Sequence, residues 1–260
     1  MELNKETLLA FSQFKDYLFH EQPHEYYYKD KKVKTSVTKL VSTLFEEFDK
    51  EKISLAYAKK NGLSQQEVLD NWKNKADIAS IVGTITHKYA EDRQIGRVMP
   101  FDFLDAEKKN ILQQVKERVL KLCAMYDIFA NDTHGKLIPI KTEFTVGIGT
   151  YIAGNIDLLV WNEKSQELEI WDYKTNSNIR SKNDYNKNGL YEMSNYPDCE
   201  LTHYSLQLHI YKEILRRFGI PVGKCYLVWL NEKNPKYEIV HCIDLQKEAR
   251  LILDKLCDEQ

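Results

Sequence analysis

One stretch constrains this chain more than any other: residues 154–174, GNIDLLVWNEKSQELEIWDYK. It reads as two β-strands joined by a polar turn. Ile156, Leu158 and Val160 alternate with Asp157, Leu159 and Trp161, the pattern breaks over Asn162–Gln166, and it resumes from Leu168 to Tyr173. A hairpin centred between Lys164 and Ser165 puts Asp157 directly opposite Asp172. The two-residue side-chain period then carries Lys174 to the face of Asp172 and turns Tyr173 to the other face. Apolar Leu159, Trp161, Leu168 and Ile170 share the face with the charges.

That grouping is costly in isolation. Directly opposed side chains sit roughly 5 Å apart at Cβ, and like charges there destabilise a sheet. A divalent cation removes the penalty, and Mg²⁺ favours one or two carboxylates together with waters and substrate phosphates. Lys174 can then hold an attacking water or offset charge developing on a phosphate oxygen. An isolated D-x-K triplet reads as a salt bridge on an exposed hairpin. Here the preceding strand supplies a second carboxylate in register, behind the small pair Gly154–Asn155, and that argues for a site.

The 260-residue length suits one sizeable α/β domain. A formal net charge of −2 gives no overall basic field, which weighs against non-specific nucleic-acid binding but leaves room for a local channel. No signal peptide or apolar run near 18 residues is visible, so a cytoplasmic location is expected, with no membrane association. The five cysteines are widely spaced, with no C-x-x-C, and predict neither a disulfide framework nor a structural zinc site.

Along the chain, helical spacing over residues 5–19 (Leu8, Phe11, Phe14, Leu18) predicts a first helix, and residues 26–37 a short hairpin. Thr38 is the expected N-cap of a helix carrying Leu40, Val41 and Leu44. Helices over 50–60 and 65–92 follow, separated at Asn61–Gly62, with Ser64 as a cap. In the second, His87 and Glu91 share a face, one turn beyond Gly83–Thr84. Glycine inside a helix costs about 1 kcal/mol, so Gly83 suggests close approach of something. A His–Glu pair at this spacing is often a weak surface contact, but beside a carboxylate hairpin His87 reads as a metal ligand. A helix over 105–130 and a strand over 137–146, with Glu143 alternating outward, precede the hairpin. Residues 176–198 form a long aperiodic connection in which Arg180, Lys182, Tyr185, Lys187 and Tyr191 can grip a strand by charge and stacking. A strong amphipathic helix (200–218), strands at 224–230 and 237–243, and a helix from Leu245 complete the pattern.

Four motifs in order, G-T-x-x-H-x-x-x-E (Gly83–Glu91), G-x-x-D (Gly154–Asp157), D-Y-K (Asp172–Lys174) and Q-x-x-x-Y (Gln207–Tyr211), resemble the RecB-like branch of the PD-(D/E)XK nuclease superfamily. Ser36-Val37-Thr38 is similar to the S-V-T stretch of the mitochondrial genome maintenance exonuclease group, and residues 198–211 (DCELTHYSLQLHIY) resemble phage-encoded members. Each motif is weak alone; their order and spacing carry the resemblance.

The resemblance implies an α/β fold, a central mixed sheet flanked by helices as in a restriction-endonuclease-like core. It would form one nuclease domain over 1–260, with a mainly helical N-terminal part (1–80) ahead of the catalytic core (81–260). It implies Mg²⁺- or Mn²⁺-dependent phosphodiester hydrolysis, with His87, Asp157, Asp172 and the backbone carbonyl of Tyr173 as metal ligands. Lys174 corresponds to the catalytic lysine, and Gln207 and Tyr211 to the helix motif lining the site. Glu91 and Glu143 stand where related enzymes carry further acidic residues. The implied activity is a DNA exonuclease in replication, recombination or repair, with DNA ends as substrate and recombination or replication proteins as partners. The implied setting is a bacterial or phage-infected cytoplasm. Two departures stand out: no proline precedes Asp157, and the cysteine quartet of the iron–sulfur members is missing, so no cluster is expected. The alternatives are a non-cleaving nucleic-acid-binding relative and a structure- or sequence-specific endonuclease, although nothing in the chain looks like a recognition domain.

Overall fold

A computed structural model describes residues 5–97, 109–183 and 185–258. Its centre is a six-stranded mixed sheet built on the 154–174 hairpin. Strand β6 (Ile152–Asn162) pairs antiparallel with β7 (Glu167–Lys174), with Leu158 opposite Trp171 and Asn162 opposite Glu167, the register expected from the sequence. Strand β5 (Leu137–Ile148) runs antiparallel along the other edge of β6. Strand β8 (Cys225–Trp229) pairs parallel with β7, and β9 (Glu238–His241) antiparallel with β8. The two-residue strand β4 (Thr35–Ser36) pairs parallel with Ile152–Ala153. Because β5 occupies one whole edge of β6, β4 and β7 share the other, and Gly154–Asp157 lie between them without a ladder partner on that edge.

Both faces of the sheet are covered, so its strands bury side chains in both directions. Leu159, Leu168 and Ile170 point into a core shared with α1 (Lys5–Ser12), α2 (Val37–Ser42), α6 (Glu200–Arg217) and α7 (Gln246–Asp258). Leu158, Val160, Trp171 and Tyr173 point the opposite way, against α4 (Gln65–Gln94) and α5 (Lys109–Thr133). The stripe expected on α5 is buried at Val115, Val119, Leu122, Met125 and Tyr126, whereas Ile111 falls outside the described side chains. None of the described helices is long and apolar enough to cross a membrane.

The N-terminal part differs from its sequence pattern in three places. The first helix ends at Ser12, and Tyr17–His20 instead form a strand (β1) paired antiparallel with β2 (Glu25–Tyr28). The apolar spacing through Phe14 is satisfied by tertiary contacts, since Phe11 and Phe14 both pack edge-on against Phe144 of β5. Leu18, expected on the helical stripe, is exposed. A turn at Lys29–Asp30, both at positive φ, leads into β3 (Lys31–Lys32), so the hairpin turns earlier than expected and its second arm is not Val33–Val37: Thr35–Ser36 join the main sheet and Val37 starts α2. The cap of α2 is Ser36 rather than Thr38: extended Ser36 accepts the Lys39 N–H at 3.1 Å. Ending β4, Ser36 is the last residue free of helical geometry, and the helix begins directly after it. Helix α3 (Lys50–Asn61) closes at left-handed Gly62. Ser64 and Glu67 then form a reciprocal capping box that starts α4.

Candidate active site

The gap between β4 and β7 is where the charged residues gather. Asp157 cannot complete the ladder with its backbone neighbour, and its carboxylate Oδ2 instead accepts the Tyr173 N–H at 2.9 Å. Between the Thr142–Leu158 and Phe144–Ile156 pairs of the β5–β6 ladder, Glu143 lies level with Asp157. At the same gap α4 brings in His87, whose Nδ1 lies 3.3 Å from Asp157 Oδ2 and whose ring meets Tyr173 edge-on. One donor atom each from His87, Glu143 and Asp157 lie within 4.8 Å of one another.

Asp172 and Lys174 stand beside this group on the α6 face. Their side chains are nearly sealed, 3% and 15% exposed, and Lys174 Nζ lies 2.5 Å from Asp172 Oδ2. Tyr204 of α6 holds the ammonium from above, its ring centroid 4.6 Å from Nζ. The electrostatics are those of crowded carboxylates. Burial raises the Glu143 carboxyl to about 8, with Asp157, Glu91 and Asp172 adding to the shift. Burial likewise raises Asp172 to about 6 against the pull of Lys174. Burial works against the charge of Lys174, yet Asp172 and Asp157 outweigh it and push the ammonium up to about 12.

Helix α6 supplies the floor. Gln207 Nε2 donates to the Tyr211 hydroxyl at 3.3 Å, and buried Tyr211 lies flush against Gly154. A Cβ at Gly154 would stand 2.8 Å from the Tyr211 ring and hydroxyl, so only glycine lets the strand pass this close. The close approach expected at Gly83 is not found. A Cβ there would make an ordinary 3.5 Å contact with Thr175, so packing does not demand glycine. A cleft of about 1140 Å³ opens here, with Gly83, Thr84, His87, Lys88 and Glu91 on the α4 side and Glu143, Thr145, Asn155, Asp157, Gln207 and Tyr211 along the base, while Asp172 and Lys174 are not among its lining residues.

The residues singled out from sequence therefore divide. His87, Asp157, Asp172, Lys174, Gln207 and Tyr211 come together, and Tyr173 joins them through its N–H. Glu143 moves from the margin to the group of donors. Glu91 lines the cleft but its carboxylate is held by Lys88 at 2.6 Å. The 176–198 segment stands apart from the cleft-lining residues. Arg180 is bound to Glu200 at the start of α6, Lys187 pairs with Glu46, and Tyr185, like Lys182, is exposed. That segment is docked rather than loose: Met193 is fully buried and the Leu190 N–H donates to Leu44 O. Sequence reasoning missed Tyr204 and Tyr26. Tyr204 shares the α6 face of Gln207 and Tyr211, a spacing that pointed to it. Tyr26 has no such signal, since it arrives from another sheet.

Two carboxylates and an imidazole within one small sphere are a donor set suited to a divalent cation, which relieves the repulsion that adds to burial in raising Glu143. The superfamily model for PD-(D/E)XK nucleases matches residues 40–259, most of the chain. The chain belongs to the PD-(D/E)XK nuclease superfamily. PD-(D/E)XK nucleases use divalent metals and act on nucleic acid, and the central mixed sheet flanked by helices agrees with their core. No curated protein matches the chain. Among solved structures, the crystal structure of SSO0001 is similar at 13% identity over 69% of this chain and 87% of that one, with a TM-score of 0.29.

Proposed function

We propose that this PD-(D/E)XK member is a Mg²⁺- or Mn²⁺-dependent nuclease of the RecB-like branch, acting on DNA from its ends in replication, recombination or repair. The observation that carries the reading is the convergence of His87, Glu143 and Asp157 within 4.8 Å, beside the buried Asp172–Lys174 pair. In this reading His87, Asp157 and Asp172, with Glu143 and the Tyr173 carbonyl, hold the cation. A bound cation polarises a phosphoryl oxygen and makes a water more acidic. The Tyr173 N–H fixes Asp157, and Gln207 with Tyr211 fixes the base of the cleft.

Lys174, held protonated by Asp172 and Asp157, acts as a fixed positive charge that orients the attacking water and offsets the extra negative charge on the phosphate. The test compares linear and closed-circular, single- and double-stranded DNA and RNA with Mg²⁺ or Mn²⁺. Asp172→Ala and Lys174→Ala each lower the cleavage rate by roughly 10²–10³, the cost of one electrostatic group, with circular dichroism unchanged. Near-parental turnover by either variant rules out this assignment. Cutting of closed circles as readily as linear DNA rules out action from ends.

A further inference from the structure

One side of the cleft comes from outside the superfamily match. Residues 17–28, the β1–β2 hairpin, precede residue 40 and bring Phe19, His24 and Tyr26 to the cleft that holds Asp157. We propose that this hairpin is a stacking wall that holds an unpaired base of the nucleic-acid strand beside the carboxylates, with Phe19 and His24 as its platform. The inference rests on the nuclease reading above and adds what the site selects.

The wall is built as a fixed surface. Phe19 and Tyr26 stand opposite each other in the ladder with rings stacked at 4.7 Å, and His24 meets Phe19 edge-on at 4.9 Å. Buried Tyr26 reaches the Asn155 backbone and feels the charges of Glu143 and Asp157, so it ties the hairpin to the carboxylates. Tyr17 ties the other end, donating its hydroxyl to Gly149 O at 3.0 Å. In front of these anchors, Phe19 is half-buried and His24 exposed.

Charge explains why such a wall is needed. The cleft is lined by the carboxylates of Glu21, Glu91 and Asp157 and by the carboxyl of Glu143, and among the described residues its one lysine, Lys88, is bound to Glu91 and Asp92. Such a surface repels phosphates, so a strand entering here is not gripped by basic side chains. Beyond Lys174 at the scissile phosphate, attraction then comes from the bound cation and from the base faces. Aromatic rings take any base by its π-face, but only when that face is free of stacked neighbours and the base is unpaired.

The experiment uses the full chain in a Lys174→Ala background with Mn²⁺. Anisotropy measures binding of a labelled single-stranded oligonucleotide and of the same oligonucleotide made abasic at each end position in turn. The wall is removed by Phe19→Leu with His24→Asn: leucine keeps apolar contact with Tyr26, and asparagine tolerates the positive φ at position 24. With the wall intact, one abasic position weakens binding by about 5–150-fold, the range expected for one stacked base. Without it, intact and abasic strands bind equally, at the weaker level; Phe19→Tyr, which keeps the ring, keeps the penalty. An abasic penalty of the same size in both proteins, or in neither, overturns the wall, and a purely structural hairpin gives the first of these. Failure of the nuclease reading shows separately, as parental protein that leaves every substrate uncut with metal present. The binding comparison is then made on that parental protein and still decides the wall.

Discussion

Gly154 shows how much of the site rests on single atoms. Its missing Cβ is what lets β6 pass the Tyr211 ring, and Tyr211 is fully packed, so it has no room to withdraw. Gly154→Ala therefore costs about 1–3 kcal/mol, the usual cost of overpacking a close contact, measured as a lower denaturant midpoint. Cleavage falls more than stability accounts for, because the same push moves Tyr211 off Gln207. An alanine variant with parental midpoint and rate would show that Tyr211 adjusts freely. At this scale the sequence was informative where the chain is regular. Asp157 and Asp172 were legible because a two-residue period and a short polar turn fix register. Glu143 was less so, because a register shift between Pro139 and Lys141 and its own positive φ interrupt the alternation of β5. Tyr26 was not legible, since its place depends on the docking of a hairpin more than a hundred residues away in sequence.

Helices follow the sequence pattern where a cap and an apolar stripe agree, as in α4, and depart from it where apolar residues have a tertiary use, as after Ser12. The capping box of α4 tests whether its start and its site-bearing end are coupled. Ser64→Ala removes the acceptor for the Glu67 N–H and costs about 1 kcal/mol of stability. His87 lies six turns on, so metal affinity stays parental; a matching loss of affinity would mean that the helix moves as one lever. Helix α6 gives a pH prediction of its own. His209 is buried, with Nδ1 2.7 Å from Ser205 O and Nε2 3.5 Å from Asp244, and burial lowers its pKa below the ordinary 6.5. The hydrogen bond to the Ser205 backbone partly compensates, Lys212 lowers it further, and Asp244 and Glu248 offset a smaller part. Because the folded pKa is depressed for a base, the unfolded chain binds more protons below about pH 6.5, and stability falls as pH drops through that value. The expected outcome is a loss of stability from pH 7 to pH 5 that is smaller in His209→Gln, read from denaturant melts at both pH values. An equal loss in both proteins places the acid sensitivity elsewhere.

For the molecule as a whole, the proposed cation site at the sheet edge left open between β4 and β7 predicts that folding is coupled to metal. Burial first, and repulsion among Glu143, Asp157 and Asp172 second, raise the carboxyls of Glu143 and Asp172, and the metal-free fold bears that cost. A ligand that binds only the folded state stabilises it by about 2.7 kcal/mol at a hundredfold excess over its dissociation constant. For a chain of this size that corresponds to a rise in Tm of roughly 5–10 °C. Mn²⁺ should produce such a rise, saturating with concentration, and a chelator should reverse it. Asp157→Asn separates this from general ion effects, because it removes one charge while its amide oxygen can still accept the Tyr173 N–H. The apo variant should melt above the apo parent, since one repulsion is gone, and its Mn²⁺ shift should largely vanish, since one ligand is gone. The two proteins thus exchange order as metal is added. A variant that melts below the parent without metal would mean that the carboxylates are not in conflict. A full Mn²⁺ shift in Asp157→Asn would mean that the cation binds somewhere else in the fold.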